Sequence, residues 1–396
     1  MSFVSDPFHR SRIAIGALFC FLGFQYGTWV SRVPELRDRL SLDEQRVGLL
    51  LLAPGAGAAV SFAAVAWLIR RLGSDRLARL AAVALLAVLA ALPAAGTFPV
   101  AVAILLADGV AVACLNVAMN AQAAALETRY DRTAMAGLHA VFSGGVLAAA
   151  LVAAAVTTLS RALPVHFLLA GLILLLLLAA ARTGLLPAEA QAVRPATGDR
   201  ERRRWLVPSL LTLTLSAAMV LGELTEGAMN DWSALYLRDV VHTAPQLAPL
   251  GVAVVSAVML VARVFADRWR RRWGDKRVVL AGAVVAAGGL GAALVLGGLI
   301  TALAGFACVG LGMAAVTPCL YVAAARAGSR TLSLVASAGT AGLLAGPPVI
   351  GFVAHRAGLV WGMGVVVLAT LMLAAVLAPI RWPAEERAEA EPEPAR

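Results

Sequence analysis

Charged residues are scarce in this sequence of 396 residues: Asp, Glu, Lys and Arg make up 14% of it, against about 25% in soluble globular proteins. Aromatic residues supply only 6%, so the hydrophobic content of 61% is mainly Ala, Leu and Val, and Gly occurs 36 times. So little charge cannot cover the surface of a soluble protein of this length, whereas small residues let helices pack closely in lipid. The composition predicts an all-α integral membrane protein and excludes a soluble enzyme, a secreted disulfide scaffold and a disordered chain.

Motifs for metal, nucleotide or nucleophile chemistry are also lacking. The cysteines (Cys20, Cys114, Cys308 and Cys319) all lie in apolar runs, and none has the spacing of a metal ligand. The sequence contains no Gly-Lys-Ser/Thr loop for nucleotide phosphates and no nucleophile motif. We therefore expect no disulfide, no metal, no cofactor and no enzymatic activity.

The net charge of +10 could indicate a nucleic acid partner or a membrane topology. Nearly all the basic residues are arginines beside apolar runs, as the positive-inside rule predicts for cytoplasmic loops. We therefore expect a lipid bilayer as partner and no nucleic acid.

Twelve apolar runs reach the length of about 20 residues that a helix needs to cross a bilayer. They lie at 12–32, 47–69, 77–96, 99–125, 134–158, 164–184, 207–232, 247–266, 277–297, 299–325, 332–355 and 359–380. If the N-terminus is cytoplasmic, 26 of the 33 basic residues, Arg263 among them, fall in inside segments and 7 fall outside. This asymmetry predicts a multi-pass protein of the cytoplasmic (inner) membrane with both termini in the cytoplasm.

The polar breaks divide the chain into two similar parts. We expect an N-terminal six-helix half at 1–184, a cytoplasmic linker at 185–206, a C-terminal six-helix half at 207–382 and a disordered acidic tail at 383–396. A basic segment with glycine follows the second span at 70–76 and the eighth at 267–277, with Gly73 and Gly274 separated by 201 positions. Trp29 and Trp232 end spans one and seven. A parallel repeat of about 200 residues is typical of two-half transporters.

The basic segments resemble the signature Gly-x-x-x-Asp-Arg-x-Gly-Arg-Lys of the major facilitator superfamily of secondary transporters. The second-half copy keeps Asp267 and Arg268, whereas the first-half copy has Ala66 and Arg70 in place of the Gly and the Asp. The resemblance implies twelve helices in two halves and a gating ion-pair switch at Asp267. Candidate gating residues are Arg70, Arg71, Gly73, Asp267, Arg268, Gly274 and His139. His139 is also consistent with packing or a proton relay.

Within that superfamily the sequence resembles the fucose-permease-like branch and its bacterial inner-membrane relatives of the rhizopine-associated type. Residues 115–120 on span four are similar to the branch's Leu-Glu-x-x-x-Asn segment, but Asn116 stands where the branch has glutamate. Because an amide cannot carry a proton, any proton coupling must lie elsewhere.

Span seven supplies the acids for such a role. Glu223, Glu226 and Asn230 fall on one helix face, and a carboxyl group inside a membrane requires a functional reason. We predict Glu223 and Glu226 as proton-coupling residues. Glu226 and Asp231 are also consistent with solvated residues of an outer vestibule.

Amide and aromatic side chains on the cavity-lining spans are candidates for solute binding. They are Gln25, Tyr26, Trp29, Asn116, Asn120, Asn230, Trp232 and Tyr321. Asn116 and Asn120 could instead bond between helices, and the Trp residues could belong to the interfacial aromatic belt. Asp108 is expected to pair with Arg32 or Arg161.

Together these features predict a monomeric secondary transporter that moves a small polar solute, sugar-like or cyclitol-like, by alternating access and coupled to protons. The alternative is a proton-antiport efflux pump for amphipathic drugs or metabolites.

Overall fold

A computed structural model describes residues 6–132, 134–187, 208–380 and 382. Most of the predicted linker and the whole predicted tail lie outside these residues. The described chain is helical, without strands. Its helices are α1 (Pro7–Val30), α2 (Val33–Leu40), α3 (Glu44–Ala91), α4 (Phe98–Tyr130), α5 (Met135–Leu159), α6 (Leu163–Ala181), α7 (Leu210–Asp239), α8 (Leu250–Trp273), α9 (Asp275–Leu296), α10 (Leu299–Met313), α11 (Val316–Arg326), α12 (Ser329–Ala357) and α13 (Leu359–Leu377).

These helices make twelve crossings. Eleven segments of the described chain are long and apolar enough to span a membrane, and the first part of α3, residues 44–72, supplies the twelfth. Gly73 separates the two crossings of α3 because its φ of 75° lies in the region open mainly to glycine. Conversely, α10 and α11 form a single crossing, broken at Ala314 and Ala315. The predicted twelve-helix fold in two six-helix halves is confirmed.

Close helix contacts hold each half together. In the first half, a Cβ on Gly23 of α1 would lie 2.1 Å from the carbonyl oxygen of Phe142 on α5. In the second half, Gly282 on α9 and Gly312 on α10 approach each other in the same way. Side chains larger than hydrogen are excluded there, as the glycine content predicts for helices that pack in lipid.

The two ends of the helix bundle differ in which helix termini they contain. The terminal end is where α1 begins and α13 ends, and the far end is the opposite one. At the far end α7 continues to Asp239, seven residues beyond the predicted limit of span seven. Arg263, expected in a loop at the terminal end, lies inside α8, ten residues or about 15 Å before the helix ends.

Candidate functional site

The two halves meet through polar side chains of α1 and α7. The hydroxyl of Tyr26 on α1 donates a hydrogen bond to Oδ1 of Asp231 on α7, with an O–O distance of 2.8 Å. Asp231 is buried, with 6% of its surface exposed. A buried carboxylate is stable only with a hydrogen-bonding partner, so this contact ties the halves together within the membrane.

Arg263 makes a second connection between the halves. Its Nη2 donates to Oε1 of Glu226 on α7 over 3.1 Å, and its Nη1 donates to Oγ of Ser143 on α5 over 3.1 Å. Glu226 belongs to the same half as Arg263, whereas Ser143 belongs to the other. The guanidinium therefore neutralises a membrane-embedded acid and bridges the interface at once.

Glu223 lies one helical turn from Glu226 on α7. Its Oε1 accepts a hydrogen bond of 3.1 Å from the hydroxyl of Thr317 on α11. Tyr321, one turn beyond Thr317, lies within electrostatic range of Glu223 and is 36% exposed. The described structure thus brings Glu223, Glu226 and Tyr321 together around α7, with Arg263 as the cation.

Gln25 and Asp108 form a separate buried pair inside the first half. Nε2 of Gln25 on α1 donates to Oδ1 of Asp108 on α4 over 2.7 Å, and neither residue is more than 1% exposed. The expected pairing of Asp108 with Arg32 or Arg161 is wrong. Arg32 instead donates to Thr157 and to the carbonyl oxygen of Arg161. These bonds join the turn between α1 and α2 to the far end of α5 and to the segment that follows it.

The remaining candidates for solute binding differ in accessibility. Trp29 and Trp232 are buried, and no hydrogen-bond partner contacts the indole N–H of either one. Asn230 is half-buried and Asn116 exposed. Nδ2 of Asn120 donates to Oδ1 of Asn116 over 2.7 Å, so this amide pair bonds along α4 rather than between helices.

Ion pairs connect the halves at the far end. Arg37 on α2 pairs with Asp239 at the end of α7, and Arg238 on α7 pairs with Asp38 on α2. The four residues line a cleft of about 560 Å³ together with Ser41, Leu42 and His242. They belong to two Arg-Asp dipeptides separated by 201 positions, so each dipeptide pairs with its own repeat across the interface.

The backbone repeats with the same offset. Ser41 and His242, also 201 positions apart, both have positive φ, 52° and 56°. Gly73 and Gly274 likewise share left-handed φ, 75° and 81°. The two halves therefore carry equivalent turns at both ends of the bundle.

Backbone contact closes the far end beside these ion pairs. A Cβ on Gly48 of α3 would lie 2.7 Å from the carbonyl oxygen of Pro347 on α12, and a Cβ on Gly351 would lie 2.6 Å from that of Glu44. Glu44 also pairs with Arg37 over 2.9 Å. The first and last thirds of the chain thus touch directly at this end.

The predicted gating residues at the terminal end are mostly exposed. Arg70 and Arg268 are exposed, and the guanidinium of Arg71 lies 5.7 Å from the ring centroid of Trp67. His139 is exposed on one side and packs edge-on against Phe19 with a centroid distance of 5.1 Å. The side chain of Asp267 lies outside the described residues, so its ion-pair switch stays a prediction.

Sequence reasoning missed two features of this site. Arg263 was counted among the loop arginines, although it is a basic residue inside the apolar run 247–266 and needs a partner there. The paired Arg-Asp dipeptides were also overlooked. The offset of 201 that relates Gly73 to Gly274 would have found them, because it also relates Arg37 to Arg238.

Comparison with known proteins places the chain in a family. The sequence profile described as the Major Facilitator Superfamily matches residues 13–331. An uncharacterised transporter of this type from Yersinia pestis is 30% identical over 379 residues, which cover 93% of this chain and 96% of the relative. Membrane protein MosC of Rhizobium meliloti is 28% identical over 369 residues, 87% of this chain and 84% of MosC.

Solved structures agree in fold. A mutant of the nucleoside transporter NupG superposes with a TM-score of 0.73 at 14% identity, covering 95% of this chain and all of that protein. A bacterial homologue of the human lysosomal transporter Spinster gives 0.72 at 14% identity, covering 99% of this chain and all of that protein. With its twelve crossings and its two related halves, this chain is a membrane transport protein of the Major Facilitator Superfamily.

Proposed function

We propose that this protein is a monomeric, proton-coupled secondary transporter of a small polar solute of the sugar or cyclitol class. In this proposal the terminal end is cytoplasmic, in a cytoplasmic (inner) membrane, and the far end faces outside. The single observation that carries it is the Glu226–Arg263–Ser143 contact, which places an acid, its cation and a bond between the halves at one point inside the membrane.

Protonation of Glu226 has a direct consequence for this contact. A protonated carboxyl no longer attracts the guanidinium as an ion pair, so Arg263 becomes free to bind another acceptor. Because Arg263 also holds Ser143 on the opposite half, loading and unloading of a proton changes the contact between halves. Proton binding and the rocking of the halves are thereby coupled.

Glu223 is the second carboxyl in this mechanism. It lies one turn along α7 from Glu226 and accepts from Thr317 on α11. Thr317 and Tyr321 lie one turn apart on that helix, and 36% of the surface of Tyr321 is exposed. A solute hydroxyl that donates to Glu223 would compete with Thr317, which links solute binding to the protonation of the acid.

The far end is closed by ion pairs and by the Gly48–Pro347 contact. In the proposed orientation the carrier is therefore closed to the outside. Opening requires Arg37 and Arg238 to leave Asp239 and Asp38. Such a rearrangement about a midplane site is the alternating-access cycle that two-half carriers use.

Solute-driven proton movement in liposomes tests this function. The purified chain is reconstituted with the pH-sensitive dye pyranine inside, and hexoses and cyclitols such as myo-inositol are added one at a time without an initial pH gradient. Symport predicts acidification of the lumen on addition of the true solute, and none in protein-free liposomes. If no sugar or cyclitol moves protons, the proposed solute class is wrong.

A second candidate function is proton-antiport efflux of amphipathic cations. It is favoured by the charge balance around α7, where Arg263 pairs with Glu226, while Glu223 and Asp231 accept hydrogen bonds from uncharged hydroxyl groups. The same liposomes distinguish the two functions. If tetraphenylphosphonium added outside releases protons from the lumen, while sugars and cyclitols have no effect, the protein is an exchanger of cations.

A further inference from the structure

We propose a binding site for the phosphate headgroup of an anionic phospholipid in a cleft at the terminal end of the first half. The cleft has a volume of about 400 Å³ and lies between the start of α1, the end of α4 and the segment that follows α6. Its polar lining includes Arg10, Ser11, Arg129, Tyr130 and Thr183. The site is distinct from the residues around α7 and independent of the transported solute.

The two arginines of the cleft are available for an anion. Neither Arg10 nor Arg129 has a carboxylate partner among the described residues, and both are exposed. The guanidinium carbon of Arg129 lies over the ring of Tyr130, 5.7 Å from the ring centroid. Two guanidinium groups beside hydroxyl donors are the donor set that a phosphate requires.

The acidic residue near the cleft, Asp6, already has basic partners, His9 and Arg132. Oδ2 of Asp6 accepts from His9 over 2.9 Å and from Arg132 over 3.1 Å, and Oδ1 accepts the N–H of Phe8. The hydrogen bond from His9, followed by that from Phe8, lowers the pKa of Asp6. Arg132 therefore already pairs with Asp6, whereas neither Arg10 nor Arg129 pairs with it in the described structure.

A buried amide holds the floor of the cleft in place. Gln122 on α4 donates to the carbonyl oxygen of Leu186 over 2.9 Å and accepts its N–H over 2.8 Å. Its Nε2 also lies 2.8 Å from Oγ of Ser74, and both Gln122 and Ser74 are fully buried. A Cβ on Gly184 would lie 2.7 Å from the carbonyl oxygen of Arg10, so the segment after α6 is fixed against α1. The cleft is therefore part of the packed fold.

The surroundings of the cleft favour a lipid over a free anion. Leu172 and Leu176 of α6 are 53% and 71% exposed and, four residues apart, share one face of that helix. Thr183 of the cleft follows shortly after the end of α6. α6 is also weakly covered by protein, with 28% of its most apolar stretch buried, against 83% for α1. An acyl chain can follow this apolar stripe while the headgroup phosphate reaches Arg10 and Arg129.

Lipid titration of the full-length protein tests the site. The protein in neutral detergent is titrated with phosphatidylglycerol, with phosphatidylcholine of the same acyl chains, and with inorganic phosphate, and bound lipid is counted by native mass spectrometry. We expect a preference for phosphatidylglycerol that Arg10→Gln with Arg129→Gln reduces by about tenfold, since two solvent-exposed ion pairs with the phosphate are lost. Arg71→Gln with Arg272→Gln, which removes two arginines that also lie over aromatic rings, should leave the preference unchanged.

A second variant blocks the cleft by size and leaves the charge of the protein unchanged. Thr183→Trp fills the mouth of the cleft, retains both arginines and should also lose the preference. The lipid assignment is overturned if both arginine pairs weaken binding equally, or if inorganic phosphate alone displaces the lipid at comparable concentration. It is also overturned if the preference appears only after the five glutamates of 383–396 are replaced by glutamine, because the tail would then be the occupant.

Discussion

The hydroxyl of Tyr26 lies 2.8 Å from the carboxylate of Asp231, and this hydrogen bond joins the first helix of one half to the first helix of the other. Both residues lie on the side of their helix that faces the interface between the halves. A carrier that opens at the far end must separate these helices, so the bond must break and re-form in each cycle. The Tyr26–Asp231 bond is therefore a reporter of the closed far end.

Loss of this bond should lower stability by a measurable amount. Tyr26→Phe leaves the buried Asp231 without its donor, which costs about 1–3 kcal/mol in the free energy of unfolding. Asp231→Asn keeps an acceptor oxygen and should cost less. The unfolding midpoint in detergent measures both, and the double variant should be less destabilised than the sum of the two. Strict additivity would show that the two residues do not interact.

Removal of Arg263 should be more harmful than removal of both members of its ion pair. Arg263→Gln leaves the Glu226 carboxylate without its cation, a cost of about 1–3 kcal/mol for this partly exposed pair, whereas Arg263→Gln combined with Glu226→Gln removes both charges. We expect low yield and a lowered melting point for the single variant and recovery in the double variant. A double variant as unstable as the single one would contradict the ion pair.

Charge exchange should restore the pairing at the far end. Asp38→Arg alone places two arginines, at 38 and 238, against each other and should reduce the transport rate. Adding Arg238→Asp reverses the pair and should recover most of the rate, because attraction is regained. Transport in reconstituted liposomes is the measurement. If the exchanged pair transports no better than Asp38→Arg, the Arg238–Asp38 contact does not form in the cycle.

A larger residue in place of Gly48 should prevent closure of the far end. A Cβ there would meet the carbonyl oxygen of Pro347 at 2.7 Å, so Gly48→Val forces α3 and α12 apart. We expect loss of transport and a far end that stays accessible to membrane-impermeant reagents. Gly144→Ala is the matched control, because a Cβ at Gly144 has no neighbour within 4 Å. Normal transport by Gly48→Val would show that this contact is dispensable.

The sequence predicted the crossings and the related halves because lipid imposes long apolar runs and because the halves repeat. It also found the face of α7 that carries Glu223 and Glu226, since helical periodicity orders residues on one element. It could not find which residues meet between elements. Gln25 and Asp108 are 83 positions apart, and Arg263 and Ser143 are 120 apart. Such partners are brought together by tertiary packing, and the periodicity of residues along one helix carries no information about which helices pack together.

Helix ends were also hard to predict from hydropathy. Oε1 of Glu127 accepts the N–H groups of Ala134 and Met135 over 2.5 and 2.8 Å, and so it caps the start of α5. Arg129 and Arg132 lie close to Glu127 in the sequence, so the sequence alone favours an ion pair instead. Capping depends on the turn between α4 and α5, which composition does not specify.

The central claim, that Glu223 and Glu226 couple proton movement to transport, is tested most directly by comparing two modes in the same liposomes. Glu223→Gln with Glu226→Gln should abolish uptake driven by a pH gradient but leave solute counterflow, because exchange needs no net proton transfer. Glu127→Gln, which keeps an oxygen to cap α5, should retain both modes. Gradient-driven uptake at the wild-type rate in the double variant would contradict the account.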